Sequence, residues 1–362
     1  IWAFNRLTST SITPPFNTKR HSSPWLFFVI AVALLLAVAG CTRATAPVQL
    51  GGGTMGTTWS LTYLPGGASP DSATVQSAVE QALERVNRSM STYRDDAEIM
   101  AVNRAPTNEA LTLSADFIRV LETGLAIGTA SGGASDVTIG PLVRLWGCGP
   151  GGAMASAPAD DAIAQARYAT GQGALDLDVD TGTLLKRAPR ELDFSSIAKG
   201  YAVDLAAEAI TELGVRDFLL EIGGEMRMSG NSPRGDRWRV AIEQPDATLR
   251  AVSRALPVSD AAVATSGDYR NYFEVDGVRY SHSIDPRTGY PVRHDLVSVT
   301  VVHESAMVAD GWATALVILG MPAAREVAEQ QSLAVYFIQR DGEDFIASHS
   351  SAFEPYLEGE DA

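Results

Sequence analysis

The sequence predicts an α/β fold in the mixed α+β sense, built as one compact body. Three observations carry that expectation. Apolar residues recur at helical spacing in several stretches, and β-rich runs bounded by turn residues lie between them. No fixed-period repeat or composition break divides the chain. With 362 residues, 46% of them hydrophobic, the chain can bury a substantial core.

The elements follow in chain order. Lys19-Arg20-His21 precede an uncharged apolar run of 15 residues, Trp25 to Ala39. A bilayer span needs about 20 residues, so the run suits the core of a signal peptide. It ends in Val38-Ala39-Gly40-Cys41, which resembles a bacterial lipobox. Residues 1–41 are therefore expected to be a lipoprotein signal peptide, with Cys41 lipidated and residues 42–50 a tether. An uncleaved anchor helix is the alternative, and either reading puts the body outside the cytoplasm. Gly51–Thr57 lacks the Gly-Lys-Ser/Thr ending of a phosphate loop, so that reading is rejected. Val75, Ala78, Val79, Ala82, Leu83 and Val86 share one helical face, and a second helix fits 115–130. Gly147–Ala159 reads as a loop. A third helix runs from about Ile197 to Leu213, with Ser195 and Ser196 as N-cap residues and Gly214 as the C-terminal stop. Strands are expected at 218–222, 238–242, 258–265 and 296–302, with a hairpin about Asp276-Gly277. Ala306–Leu319 reads as a helix and Leu333–Gln339 as a strand. Residues 51–350 make the folded domain, and 351–362 an acidic tail.

Charge and cysteine usage exclude several functions. The formal net charge is −15. Residues 1–40 hold three basic residues and no acid, so the remainder carries about −18. Such a body does not suit non-specific nucleic-acid binding. Cys41 and Cys148 stand in no metal-binding spacing.

Several motifs carry chemistry. Asp310 and Thr314 are four residues apart, so their oxygens share one helix face among apolar neighbours. A hard cation such as Mg2+ would partner them. A helix-start carboxylate and a threonine bonded to its own backbone is the plainer reading of the same spacing. His282 stands at a predicted strand end before a Pro/Gly turn, where a histidine can act as general base or as a phosphate ligand. Ser195, Ser196 and Lys199 open a helix, whose N-terminus suits phosphate. Ser131–Asp136 and Glu221–Gly224 use small residues that let a ligand approach the backbone.

Taken in order, GTMGT, STYRDDAEI, SDVTIGPLVRLWG, DFSSIAKGYAVD, EIGGEMRMSG, ATSGDYRNYF, YSHSIDPRTGYP and ADGWATALVILG resemble the ApbE family from about Gly51 to Gln339. The resemblance implies a compact α/β assembly on T-fold-like units. It also implies Mg2+-dependent transfer of FMN from FAD to a threonine hydroxyl of an acceptor protein, with AMP released. Acceptors in the family include flavoprotein subunits of membrane electron-transport complexes. It assigns flavin contacts to Met55, Tyr93, Ala134, Ser135, Asp136, Ser195, Tyr201 and Ile284. It assigns the metal to the Ala198 carbonyl, Asp310 and Thr314, and catalysis to His282, with Asp136 as the rival base. Glu225 departs from the family's usual GGD or GGN. A periplasmic, lipid-anchored protein fits these partners. Hydrolysis of FAD to FMN and AMP, or FAD binding without chemistry, are the alternative functions.

Overall fold

Eight strands form the central sheet of the computed structural model, in the order Val48–Thr54, Thr57–Leu64, Asp217–Ile222, Glu225–Ser229, Ala261–Gly267, Leu296–His303, Ala334–Asp341 and Asp344–His349, and every neighbouring pair is antiparallel. The structure describes residues 46–357 except 68, 151, 153–155, 245–251, 268–271 and 276–277. The expected signal peptide, Cys41 and the start of the tether lie outside the described residues, as does the Asp276-Gly277 turn.

Helices are interspersed among the strands in the first part of the chain. β1 (Val48–Thr54) and β2 (Thr57–Leu64) precede α1 (Ser72–Met90), α2 (Glu98–Arg104), β3 (Ala110–Thr112) and α3 (Ala115–Ala130). α4 (Gly140–Leu145), α5 (Asp160–Tyr168), β4 (Leu175–Asp178) and β5 (Thr183–Lys186) lead to α6 (Ala198–Glu212). Strands then dominate: β6 (Asp217–Ile222), β7 (Glu225–Ser229), β8 (Trp238–Glu243), β9 (Val252–Val258), β10 (Ala261–Gly267), β11 (Tyr272–Val275), β12 (Val278–Ser281) and β13 (Leu296–His303). α7 (Ala306–Leu319), α8 (Ala323–Gln330), β14 (Ala334–Asp341) and β15 (Asp344–His349) complete the body. Among the described residues, no helix is long and apolar enough to cross a membrane.

Both faces of the sheet are covered. On one side α6 and α7 pack on each other, α1 on α6, and α7 on β10 and β13, around a core that includes Phe117, Tyr201, Leu316 and Phe337. On the other side the paired β8 and β9 strands and residues 352–357 close a second core of Trp238, Val240, Tyr336 and Phe353. β13 is therefore buried along nearly its whole length, which explains its unbroken apolar run.

Local signals held where one element settled them. α7 has the bounds read from its pattern, and Gly214 ends α6 with a φ of +85°. The GGGTMGT run is the β1–β2 hairpin, turning at Met55 and Gly56, whose φ angles are 48° and 72°.

Other expectations need correction. Residues 258–265 are not one strand. Asp260, with φ 53°, reverses the chain between β9 and β10, which pair with different partners. Ser195 and Ser196 do not cap α6. Ile197 is the N-cap without a side-chain bond, and Phe194 O accepts the N–H groups of Ile197 and Ala198. The body also extends past residue 350: Ser351–Tyr356 form a 3-10 turn, and Phe353 is sealed in the second core.

Candidate functional site

The chemistry-bearing motifs meet at a cleft of about 300 Å³ where α6, α7, β7 and β10 come together. Asp310 and Thr314 line it from α7, Ser195 from the segment before α6, Lys199 from the first turn of α6, and Glu225 from the start of β7. Ala134, Ser135 and Asp136 form a further wall, and His282 and Ile284 another.

Gly200 sets the closeness of α6 and α7. A Cβ there would stand 2.2 Å from Ala306 O and 2.7 Å from Asp310 Cβ. Glycine removes that obstacle, and its N–H donates to Asp310 Oδ2 at 2.9 Å. Asp204, one turn further along α6, receives the α7 N-terminus. It accepts from the N–H groups of Ala306 (2.9 Å) and Met307 (3.0 Å), from Ser305 Oγ (2.6 Å) and from Arg227 (2.6 Å). One buried carboxylate thus fastens the helix that carries Asp310 and Thr314. Thr314 Oγ1 shares a hydrogen bond of 3.1 Å with Ser266 Oγ.

Charge is concentrated on this wall. Lys199 Nζ donates to Glu225 Oε1 at 2.7 Å. Glu225 and Asp310 are each 3% exposed. Burial raises the Asp310 carboxyl above its usual value, against the opposing Lys199 charge and Gly200 N–H. Burial, then the Asp310 charge, pushes Glu225 up to about 8, with Lys199 opposing. For Lys199 burial acts downward, but Asp310 and Glu225 outweigh it and the ammonium is held above its usual value.

The opposite walls are fixed by their own loops. Asp136 Oδ1 accepts from Thr138 N (2.8 Å) and Thr138 Oγ1 (2.6 Å). Asp193 Oδ1 accepts from Ser195 N at 2.8 Å, and burial holds the Asp193 carboxyl high. Asn103 grips Leu192 through both its N–H (2.7 Å) and its C=O (3.0 Å). The 280–291 loop is pinned where Trp146 Nε1 donates to Gly289 O at 2.8 Å, over a small core of Leu142, Trp146, Ile163 and Ile284. His282 is exposed on this rim.

Met55, Tyr93, Ala198 and Tyr201 are not among the residues that line the cleft. Met55 occupies the β1–β2 turn and packs on the main core; its positive φ is strained for a side-chain residue. Tyr93 is 71% exposed on the loop after α1; partial burial, then Asp193 and Cys148, raise its phenol. Ala198 opens α6 directly before Lys199 and Gly200. Tyr201, also expected at the flavin, is buried in the main core. Its ring is 1% exposed, its hydroxyl donates to Asp116 Oδ1 at 2.6 Å, and Arg119 lies over its ring. A sealed ring offers no face for stacking.

Sequence reasoning missed Glu225, Asp204, Ser266 and Cys148 as site residues, Cys148 having been read only as no metal ligand. Glu225 was visible only as a departure from a motif. Cys148 lines the cleft, where burial and Asp193 push its thiol up to about 11.

The residues present fit a divalent cation. Two buried carboxyl groups face one ammonium, so ionising both would leave an excess negative charge for a cation to balance. No group of three His, Cys, Asp or Glu is arranged to hold a metal among the described residues. An ion here would rest on Asp310, the Thr314 hydroxyl and the Ala198 carbonyl, completed by substrate phosphate. That sparse oxygen set suits Mg2+, which usually keeps waters and leans on substrate phosphates.

Comparison with known proteins gives a consistent result. Residues 55–337 match the model of the ApbE family. The FAD:protein FMN transferase of Vibrio cholerae is 41% identical over 331 residues, covering 91% of this chain and 98% of that protein. The solved flavin transferase ApbE from Vibrio cholerae superposes with a TM-score of 0.81 at 40% identity, over 86% of this chain and 99% of that one. The apo form of the Pseudomonas stutzeri flavinyl transferase ApbE gives 0.79 at 37% identity, over 87% and 98%.

Proposed function

The chain belongs to the ApbE family and is an FAD:protein FMN transferase, and from that premise we propose its finer chemistry: Mg2+-dependent transfer of FMN from FAD to a threonine hydroxyl of an acceptor protein. In that reaction the threonine oxygen attacks the FMN phosphorus. A threonine–phosphate bond forms, the pyrophosphate bridge breaks, and AMP departs.

The observation that carries this reading is the meeting of Asp310, Thr314, Lys199 and His282 in one cleft. Lys199 and the start of α6 would hold pyrophosphate oxygens. Asp310, held by Gly200 N–H, and Thr314 would hold the metal together with the Ala198 carbonyl. When bound, Mg2+ would neutralise the pyrophosphate and stabilise the departing phosphate charge. His282, exposed at the rim, would take the proton from the incoming hydroxyl. Asp136 is the weaker candidate because Thr138 already donates twice to its Oδ1. Ile284, Ser135, Ala134 and Ser195 line the cleft and would face the flavin, while Tyr93 and Met55 are not among its lining residues.

The decisive experiment mixes the protein with FAD, Mg2+ and an acceptor fragment carrying a threonine, and weighs the acceptor by mass spectrometry. One added FMN that disappears with Asp310→Ala supports transfer. Free FMN and AMP without an adduct would make the protein a hydrolase, and intact bound FAD would make it a carrier.

The same proposal places the protein on the periplasmic side of a bacterial membrane, anchored through Cys41, beside acceptor subunits of electron-transport complexes. Support comes from the sequence of residues 19–41. Labelled palmitate that fails to enter the protein in growing cells would remove the anchor from this account.

A further inference from the structure

Glu225 reaches the cleft through a tight turn. Gly223 and Gly224, with φ angles of 60° and 108°, join β6 to β7, and Ile222 pairs with Glu225 across that turn. A Cβ on Gly223 would lie 2.8 Å from Thr57 Cγ2, so the turn packs closely against the β1–β2 hairpin, and it would meet Lys199 Cδ at 3.6 Å, in ordinary contact. The turn delivers a carboxylate, 3% exposed, onto the wall that α6 and α7 form.

The two oxygens of that carboxylate differ. Oε1 accepts from Lys199 at 2.7 Å. Oε2 is buried and has no hydrogen-bond partner. A buried carboxylate oxygen without a donor is costly, and native structures seldom keep one without a purpose. Asp310 stands on the same wall and acts electrostatically on Glu225. One ammonium faces two acids, so with both ionised the wall lacks one positive charge.

We propose that Glu225 belongs to the cation site: its unpartnered Oε2 and the Asp310 carboxylate form an acidic pair that a divalent cation neutralises, while Lys199 balances only one of the two. This rests on reading the cleft as a cation-assisted transfer site, and adds to that site a residue outside the Ala198, Asp310 and Thr314 set. A hard cation fits because every group offered to it is an oxygen. Lys199 then competes with the cation for the same carboxylate.

The competition gives two variants with effects of opposite sign. Binding of Mn2+ alone, without FAD, is followed by electron paramagnetic resonance on the full chain, with folding checked by circular dichroism. Glu225→Gln keeps the shape and removes the charge, and is expected to weaken Mn2+ binding roughly 10- to 100-fold. Lys199→Met frees both carboxylates, and is expected to tighten Mn2+ binding about threefold or more. Asp310→Ala separates the two claims. If it abolishes Mn2+ binding while both other variants bind as the unaltered protein does, Glu225 lies outside the site and the transfer reading stands. If the unaltered protein binds no Mn2+, with or without FAD, both fall. Should Glu225→Gln fail to fold, Lys199→Met decides, and unchanged or weaker binding there overturns the proposal.

Discussion

Asp204→Ala removes the fastening between α6 and α7, and its cost can be worked from the contacts. The substitution leaves the buried N–H groups of Ala306 and Met307 without acceptors, and takes a partner from Ser305 Oγ and Arg227. An orphaned buried donor costs about 1–3 kcal/mol. Arg227 is partly exposed and regains water, so its share is small. Ser305 still caps Val308, which moderates the damage. The expected loss is about 3–5 kcal/mol. With roughly 2.1 cal/mol/K of unfolding entropy per residue over a body of about 300 residues, the melting temperature falls by about 5–8 °C. Asp204→Asn, which retains one acceptor oxygen, should fall between. Urea denaturation and calorimetry read both numbers. A loss under about 1 kcal/mol for the alanine variant would mean that Ser305 alone caps α7, and the two-helix clamp would be wrong.

Three further outcomes follow from the same geometry. Gly200→Ala should cost at least about 2 kcal/mol despite alanine's better helix propensity, because its Cβ meets the backbone of Ala306; an equally stable variant in urea would contradict the close approach. Asp193 has a raised carboxyl, so the folded state binds its proton more tightly than the unfolded chain does. Its contribution to stability is therefore full below the ordinary value of 3.8 and is lost as pH rises through the raised folded value. Asp193→Asn should flatten that fall in melting temperature, and an unchanged pH profile would count against it. Cys148, with its thiol pushed up to about 11, should react slowly with iodoacetamide at pH 8 and more slowly still with FAD bound; fast labelling unaffected by FAD would place it outside the flavin's reach.

The ordered motifs made the family legible before any coordinates, and the matches to ApbE relatives bear that out. Within the site, the Asp310/Thr314 pair was readable because four-residue spacing fixes a helix face without help from the rest of the chain. Tyr201 shows the opposite. Helical spacing says which face a residue takes, but not whether that face meets a cleft or the Asp116–Arg85 pair on α3 and α1.

By itself the sequence determined the elements whose signals are short-range: α7, α6 with its Gly214 stop, and the strand runs of β6, β13 and β14. Only the tertiary structure decided which side chains face one another. Lys199 meets Glu225 across 26 positions of the chain, and Gly200 meets Asp310 across 110. No local period encodes such partners. Burial then sets their chemistry, because a carboxylate shifts and demands a counter-charge only once the packed sheet and helices have removed it from water.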